Sequence, residues 1–86
     1  MTYKMFELIQ YTRENCSACV RMKLHVDNNN DINVEMEERH IDFIGELGLD
    51  VQAVPLLVLF KDGEIDDFSV GFKPNEIDTL LSKIIN

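Results

Sequence analysis

Basic side chains are scarce in this 86-residue chain: eight Lys and Arg face sixteen Asp and Glu, for a formal charge of −8. Binding to a nucleic-acid backbone relies on clustered Lys and Arg, so that class of partner is excluded. The surplus acid speaks instead to solubility and to partners with basic surfaces. Long apolar runs are also missing. The longest, Val54 to Phe60, is far too short to cross a bilayer, so no membrane association is expected. Met1-Thr2-Tyr3-Lys4-Met5 opens the chain without the apolar stretch and small residues of a secretory signal, and a reducing cytoplasm is the expected setting. No internal repeat and no low-complexity tract is present. Cysteine is limited to Cys16 and Cys19. A four-residue ring would add only about 2 kcal/mol by the chain-entropy argument, and a cytosolic thiol pool would keep an ordinary disulfide open. The pair is therefore no structural staple, which leaves redox chemistry or metal binding.

What is present reads as one small globular domain, residues 1–86, expected to be monomeric. Folding at this size buries only about 60–65% of the unfolded chain's surface, so the core must be efficient. Met5 to Tyr11 is mostly apolar, as in a strand covered on both faces. Thr12 to Asn15 forms a loop, with Asn15 a good helix N-cap type. From Cys16 to Val26 a helical stripe runs through Cys19, Met22 and Val26, widened by Val20 and Leu24. The cluster from Asp27 to Asp31 ends it. Ile32, Val34 and Met36 alternate with Asn33, Glu35 and Glu37, a strand with one solvated face. Ile41, Ile44 and Leu47 recur at helical spacing before Gly48, a C-cap glycine, although Gly45 weakens that helix. Pro55 to Phe60 reads as a central strand beginning with proline. Lys61-Asp62-Gly63-Glu64 signals a hairpin into a weaker strand, Ile65 to Val70. Gly71 to Lys73 turns the chain, Pro74 suits a first helical turn, and Ile77, Leu80, Leu81, Ile84 and Ile85 form an apolar helix face. The order β-α-β-α-β-β-α implies an α/β fold with a four-stranded mixed sheet and helices on both faces.

The chemistry concentrates in Cys16-Ser17-Ala18-Cys19, at a strand-to-helix junction. A helix N-terminus offers unpaired N–H groups and positive dipole, and Arg13, Arg21 and Lys23 lie nearby, so the Cys16 thiol is expected to ionise more readily than an ordinary one. The net gain in attack is only about three-fold, because nucleophilicity falls with basicity. Geometry contributes more: Cys16 attacks, and Cys19, one turn later, resolves the mixed disulfide intramolecularly. Ser17 and Ala18 add no bulk and no charge beside Cys16. Tyr11 fits either simple strand packing or a docking role. Zinc wants four ligands, and His25 and His40 complete Cys-x2-Cys-x5-His-x14-His, outside finger spacing. His25 reads as a solvated helix residue, and Glu35, Glu37 and Glu38 as a solvated strand face. Val54-Pro55 is a candidate cis bond.

With those elements in place, the chain resembles the thioredoxin superfamily over nearly its whole length. Tyr11-Thr12-Arg13 before Cys16-Ser17-Ala18-Cys19 is similar to dithiol glutaredoxins, whose thiolate-stabilising Lys falls at Arg13. Leu47 to Pro55, followed by Phe60-Lys61-Asp62-Gly63-Glu64, is similar to the cis-proline and hairpin region of glutaredoxins and thioredoxins. The resemblance implies a cis Pro55 and a Val54 backbone that pairs with an extended substrate segment. There are departures. Where thioredoxins carry Trp before the first Cys and a buried Asp six residues before it, this chain has Asn15 and Gln10. Val70-Gly71-Phe72-Lys73-Pro74 lacks the Gly-Gly-Asp motif with which glutaredoxins hold glutathione. It is similar instead to glutaredoxin-like redoxins that accept electrons from thioredoxin reductase and reduce ribonucleotide reductase. The resemblance thus implies a small thiol–disulfide oxidoreductase with no bound cofactor. Its electrons would come from thioredoxin reductase and NADPH or from glutathione, and its substrate would be an oxidised protein such as ribonucleotide reductase. Gly71 and Phe72 read as a turn that helps dock the partner, with packing under the last helix an equal reading of Phe72. A glutathione-dependent dithiol glutaredoxin is the alternative within that chemistry. A non-catalytic metal-binding or docking module is the alternative outside it.

Overall fold

A computed structural model describes residues 5–29, 32, 34–49 and 51–84. Its element order is β1 (Phe6–Thr12), α1 (Ser17–Asp27), β2 (Met36–His40), a 3-10 helix (Ile41–Leu47), β3 (Leu56–Lys61), β4 (Glu64–Val70), α2 (Pro74–Leu81) and a terminal 3-10 turn (Ser82–Ile84). The sheet runs β2-β1-β3-β4. β1 pairs in parallel with β2 and antiparallel with β3, and β3 pairs antiparallel with β4. This is a thioredoxin-like α/β fold.

The two central strands are the two most apolar segments, because only they are covered on both faces. Alternation in β1 sends Leu8 to one face, where it packs with Met22 and Val26 of α1 and Ile77, Leu80 and Leu81 of α2. Ile9 and Tyr11 point to the other face, beneath Ile41 and Ile44. The hairpin turns through Asp62 at φ 54° and Gly63 at φ 85°, two left-handed residues as a two-residue turn of this type requires. Pro74 is in the first turn of α2, where its missing N–H costs nothing.

Several expectations shift. The second strand is Met36–His40 rather than the alternating run from Ile32. Ile32, Val34 and Met36 still pack on the core, but the chain spends the first two crossing from α1 to the sheet edge. Exposed Glu37, Glu38 and Arg39 suit an edge strand, which charge protects from further pairing. The segment after it is a 3-10 helix, not an α-helix. Ile41, Ile44 and Leu47 are spaced by three, and a helix of three residues per turn brings all of them to one side. Gly48 ends it at φ 69°, as expected of a C-cap glycine. Val20 and Leu24 do not widen the core stripe of α1: they are 59% and 56% exposed. Asn33 and Ile85 lie outside the described residues.

Candidate functional site

Cys16 and Cys19 are joined in a disulfide, with Cα atoms 5.3 Å apart across the first turn of α1. Cys16 is itself the N-cap, and its Sγ accepts a hydrogen bond from the Cys19 N–H at 3.1 Å. Asn15, expected to cap, instead takes the left-handed conformation at φ 57°, which Asn tolerates better than most residues. That turn carries the chain from β1 into the helix with the sulfur, rather than the amide, facing the unpaired N–H groups. The two cysteines differ sharply in access. Cys16 is half-buried at the rim of an open groove of about 510 Å³, whereas Cys19 is 5% exposed. Ser17 is exposed and Ala18 half-buried beside them.

Arg13 also lines this groove, and its Nη2 donates to the Gln52 carbonyl at 3.0 Å. The dithiol loop is thereby tied to the segment leading into Val54-Pro55, whose peptide bond is cis. The Gly71 N–H donates to the Pro55 carbonyl at 2.7 Å, with Gly71 at φ 80°, so the proline loop and the turn after β4 lie side by side. Phe72 is half-buried against α1. The Arg21 guanidinium lies 5.9 Å from its ring centre, and His25 meets it edge-on at 6.0 Å.

Tyr11 does not reach the site. It is fully buried on the opposite face with Ile41, Ile44, Leu56 and Val58, and its hydroxyl has no hydrogen-bond partner among the described residues. Burial pushes that hydroxyl's pKa up, against a smaller opposing pull from the Arg39 guanidinium, which is near enough to act on it but makes no hydrogen bond of good geometry. Strand alternation decides this: Tyr11 is an odd-numbered residue of β1, and α1 lies over the even-numbered face.

Three features escaped sequence reasoning. Lys23 bonds Glu38 at 3.1 Å along the groove, so one member of the acidic strand face belongs to the site's wall. Gln52 gave no signal, since only its backbone carbonyl is used. Gln10 did give one, by standing six residues before Cys16 where thioredoxins carry a buried Asp, but its bond did not follow from that. It is fully buried, and its Nε2 donates to the Cys19 carbonyl at 2.9 Å. His25 and His40 do not converge on the cysteines: His25 bonds Asp78 at 2.7 Å, and His40 bonds Glu14 at 2.9 Å. Its own backbone N–H first, and then that contact with His40, hold the Glu14 carboxyl below its ordinary pKa. No cluster of three or more His, Cys, Asp or Glu able to hold a metal ion occurs among the described residues.

A disulfide at the start of a helix, set on a four-stranded mixed sheet beside a cis proline, defines a thiol–disulfide oxidoreductase of the thioredoxin type. The comparisons agree. The SPbeta prophage-derived thioredoxin-like protein YosR of Bacillus subtilis is 32% identical over 80 residues, covering 90% of this chain and 96% of that one. The chain belongs to the thioredoxin-like family. Among solved structures, thioredoxin O2 from Arabidopsis thaliana in its oxidized state superposes with a TM-score of 0.78 at 22% identity, covering 94% of this chain and 76% of that one. Thioredoxin Mala s 13 of Malassezia sympodialis gives 0.75 at 21%, covering 92% and 74%. No family model matches the chain.

Proposed function

We propose that this protein reduces disulfides in other proteins and is recharged by a flavoprotein thioredoxin reductase rather than by glutathione. The observation that carries the reading is the asymmetry of the pair: Cys16 at the groove rim, capped by an N–H donor, and Cys19 buried one turn behind it. The Cys16 thiolate attacks one sulfur of a substrate disulfide, and the displaced substrate thiolate takes up a proton. Cys19 then gives up its proton and attacks the Cys16 sulfur, releasing the second substrate thiol. The substrate has gained two electrons from the pair and two protons, one from Cys19 and one from solvent, and the reductase returns the electrons from NADPH. The Cys19 N–H and the end of α1 stabilise the attacking sulfur while it is negative. Arg13 adds positive charge and braces the loop. Ser17, Ala18, Val54, Gly71 and Phe72 form the docking surface, and Pro55, itself buried, belongs to the loop that presents the Val54 backbone to an extended substrate segment.

Two observations support this choice of electron donor. The turn Val70-Gly71-Phe72-Lys73-Pro74 lacks a second glycine and an acidic group, and the relative at 32% identity is thioredoxin-like. Ribonucleotide reductase is the substrate that the likeness of Gly71-Phe72-Lys73-Pro74 to glutaredoxin-like redoxins brings forward, and a reducing cytoplasm is the setting. Turnover of a protein disulfide is measured with NADPH and thioredoxin reductase, and separately with NADPH, glutathione and glutathione reductase. The first system should be the faster. Equal or better turnover with glutathione would overturn the choice of donor, and no turnover with either would overturn the reductase reading.

A further inference from the structure

Gln10 lies in the middle of β1, wholly buried, under the first turn of α1 to which it is bonded. Its Nε2 is satisfied by the Cys19 carbonyl, but its Oε1 is buried without a partner among the described residues. Turning the amide round would not help, because it would set Oε1 against that carbonyl, acceptor against acceptor. A buried acceptor without a donor is costly, and a central strand position between apolar neighbours is a poor place to leave one. The state of the site explains it. In the disulfide neither sulfur carries a hydrogen, so the pair has no donor to offer. Reduction breaks the Sγ–Sγ bond with two electrons, and the buried sulfur of Cys19, the residue whose carbonyl Gln10 holds, takes up a proton and becomes an S–H donor.

We propose that Gln10 is a positioning residue that favours the dithiol form, with its Oε1 accepting the hydrogen bond that Cys19 can donate only when reduced. Its Nε2 keeps hold of the Cys19 carbonyl in both states, so the resolving sulfur stays registered while its partner changes. The inference rests on Cys16 and Cys19 cycling as described above, but not on which donor recharges them.

The wild type and Gln10→Met are equilibrated with mixtures of reduced and oxidised glutathione, and the dithiol fraction is read by alkylation. Removing the acceptor should shift the equilibrium about ten-fold toward the disulfide, which corresponds to about 30 mV for a two-electron couple. A purely structural role would lower the melting temperature of both forms together and leave the equilibrium alone. A shift under about two-fold, or one toward the dithiol, overturns the proposal. The wild type supplies a second measurement that needs no variant. The side-chain carbonyl carbon resonance of Gln10 should move on reduction while that of exposed Gln52 stays, and an unmoved Gln10 signal overturns the proposal even if Gln10→Met does not fold. A wild-type pair that no glutathione ratio reduces would instead remove the oxidoreductase cycle, and this inference with it.

Discussion

Replacing Cys19 by Ser should leave Cys16 able to attack and unable to let go. In the wild type the two Cα atoms are 5.3 Å apart, and the Cys16 sulfur already sits 3.1 Å from the Cys19 N–H, so resolution needs almost no search. Well-oriented intramolecular attack corresponds to an effective concentration of about 10⁵ M or more. A discount of about a thousand-fold, for a sulfur that must swing out of a buried position, still leaves about 10² M. Against about 1 mM external thiol, the mixed disulfide of Cys19→Ser should therefore persist about 10⁵-fold longer, long enough to isolate. The backbone N–H that caps Cys16 survives this substitution, so attack itself is spared. The assay incubates each single variant, reduced, with an oxidised protein and looks for the covalent adduct by mass. Cys16→Ser should give almost none, since Cys19 is 5% exposed and its carbonyl is held by Gln10. Equal adducts from both variants would refute the division of labour. So would no adduct from Cys19→Ser while its Cys16 still alkylates readily.

Two further outcomes follow from the surrounding residues. Arg13→Ala loses an exposed hydrogen bond to the Gln52 carbonyl, so denaturant titration should show a cost under about 1 kcal/mol. Alkylation of reduced Cys16 near neutral pH should slow about two-fold, as expected for one exposed charge. Unchanged alkylation with slower substrate turnover would make Arg13 a strut between loops and not a thiolate partner. Tyr11→Phe removes a buried hydroxyl that has no hydrogen-bond partner among the described residues, so stability near neutral pH should hold or rise by about 1 kcal/mol. The variant should also be less sensitive to alkali. Burial raises the folded-state pKa above the unfolded value of about 10, so this group's stabilising contribution is full below that pH and is lost as pH climbs through the folded pKa. Phenylalanine has nothing to lose there. A drop above about 1 kcal/mol for Tyr11→Phe in denaturant titration at neutral pH would mean the hydroxyl is satisfied after all.

Local pattern carried most of the architecture. β1 and β3 are legible because central strands must be apolar on both faces, and α2 with the 3-10 turn that follows it because Ile77, Leu80, Leu81 and Ile84 repeat at helical spacing. The turn at Asp62-Gly63 and the cap at Gly48 were readable because each needs a backbone conformation that few residues accept. The readings that moved were those in which local pattern leaves two answers open. Spacing by three fits one side of an α-helix or a 3-10 helix, and the short stretch from Ile41 to Leu47 settled as the latter. An apolar residue on a surface helix can widen a core stripe or stand in solvent, and only the seating of α1 on the sheet put Val20 and Leu24 outside.

At the site the division follows the same line. Two cysteines one helical turn apart determine that a reversible disulfide can form, because that depends on covalent chemistry and helix pitch alone. Which sulfur is accessible, and what stands behind the other, are properties of layers that meet from distant parts of the chain. Tyr11 and Gln10 are neighbours in sequence, yet strand alternation sends one to the core beneath the 3-10 helix and the other to the Cys19 carbonyl. The tie from Arg13 to the Gln52 carbonyl spans 39 residues and uses a backbone atom that every residue type possesses. Residue identity therefore set the reaction. The stacking of α1 on β1, and of the proline loop beside it, decided which atoms surround the reacting sulfurs.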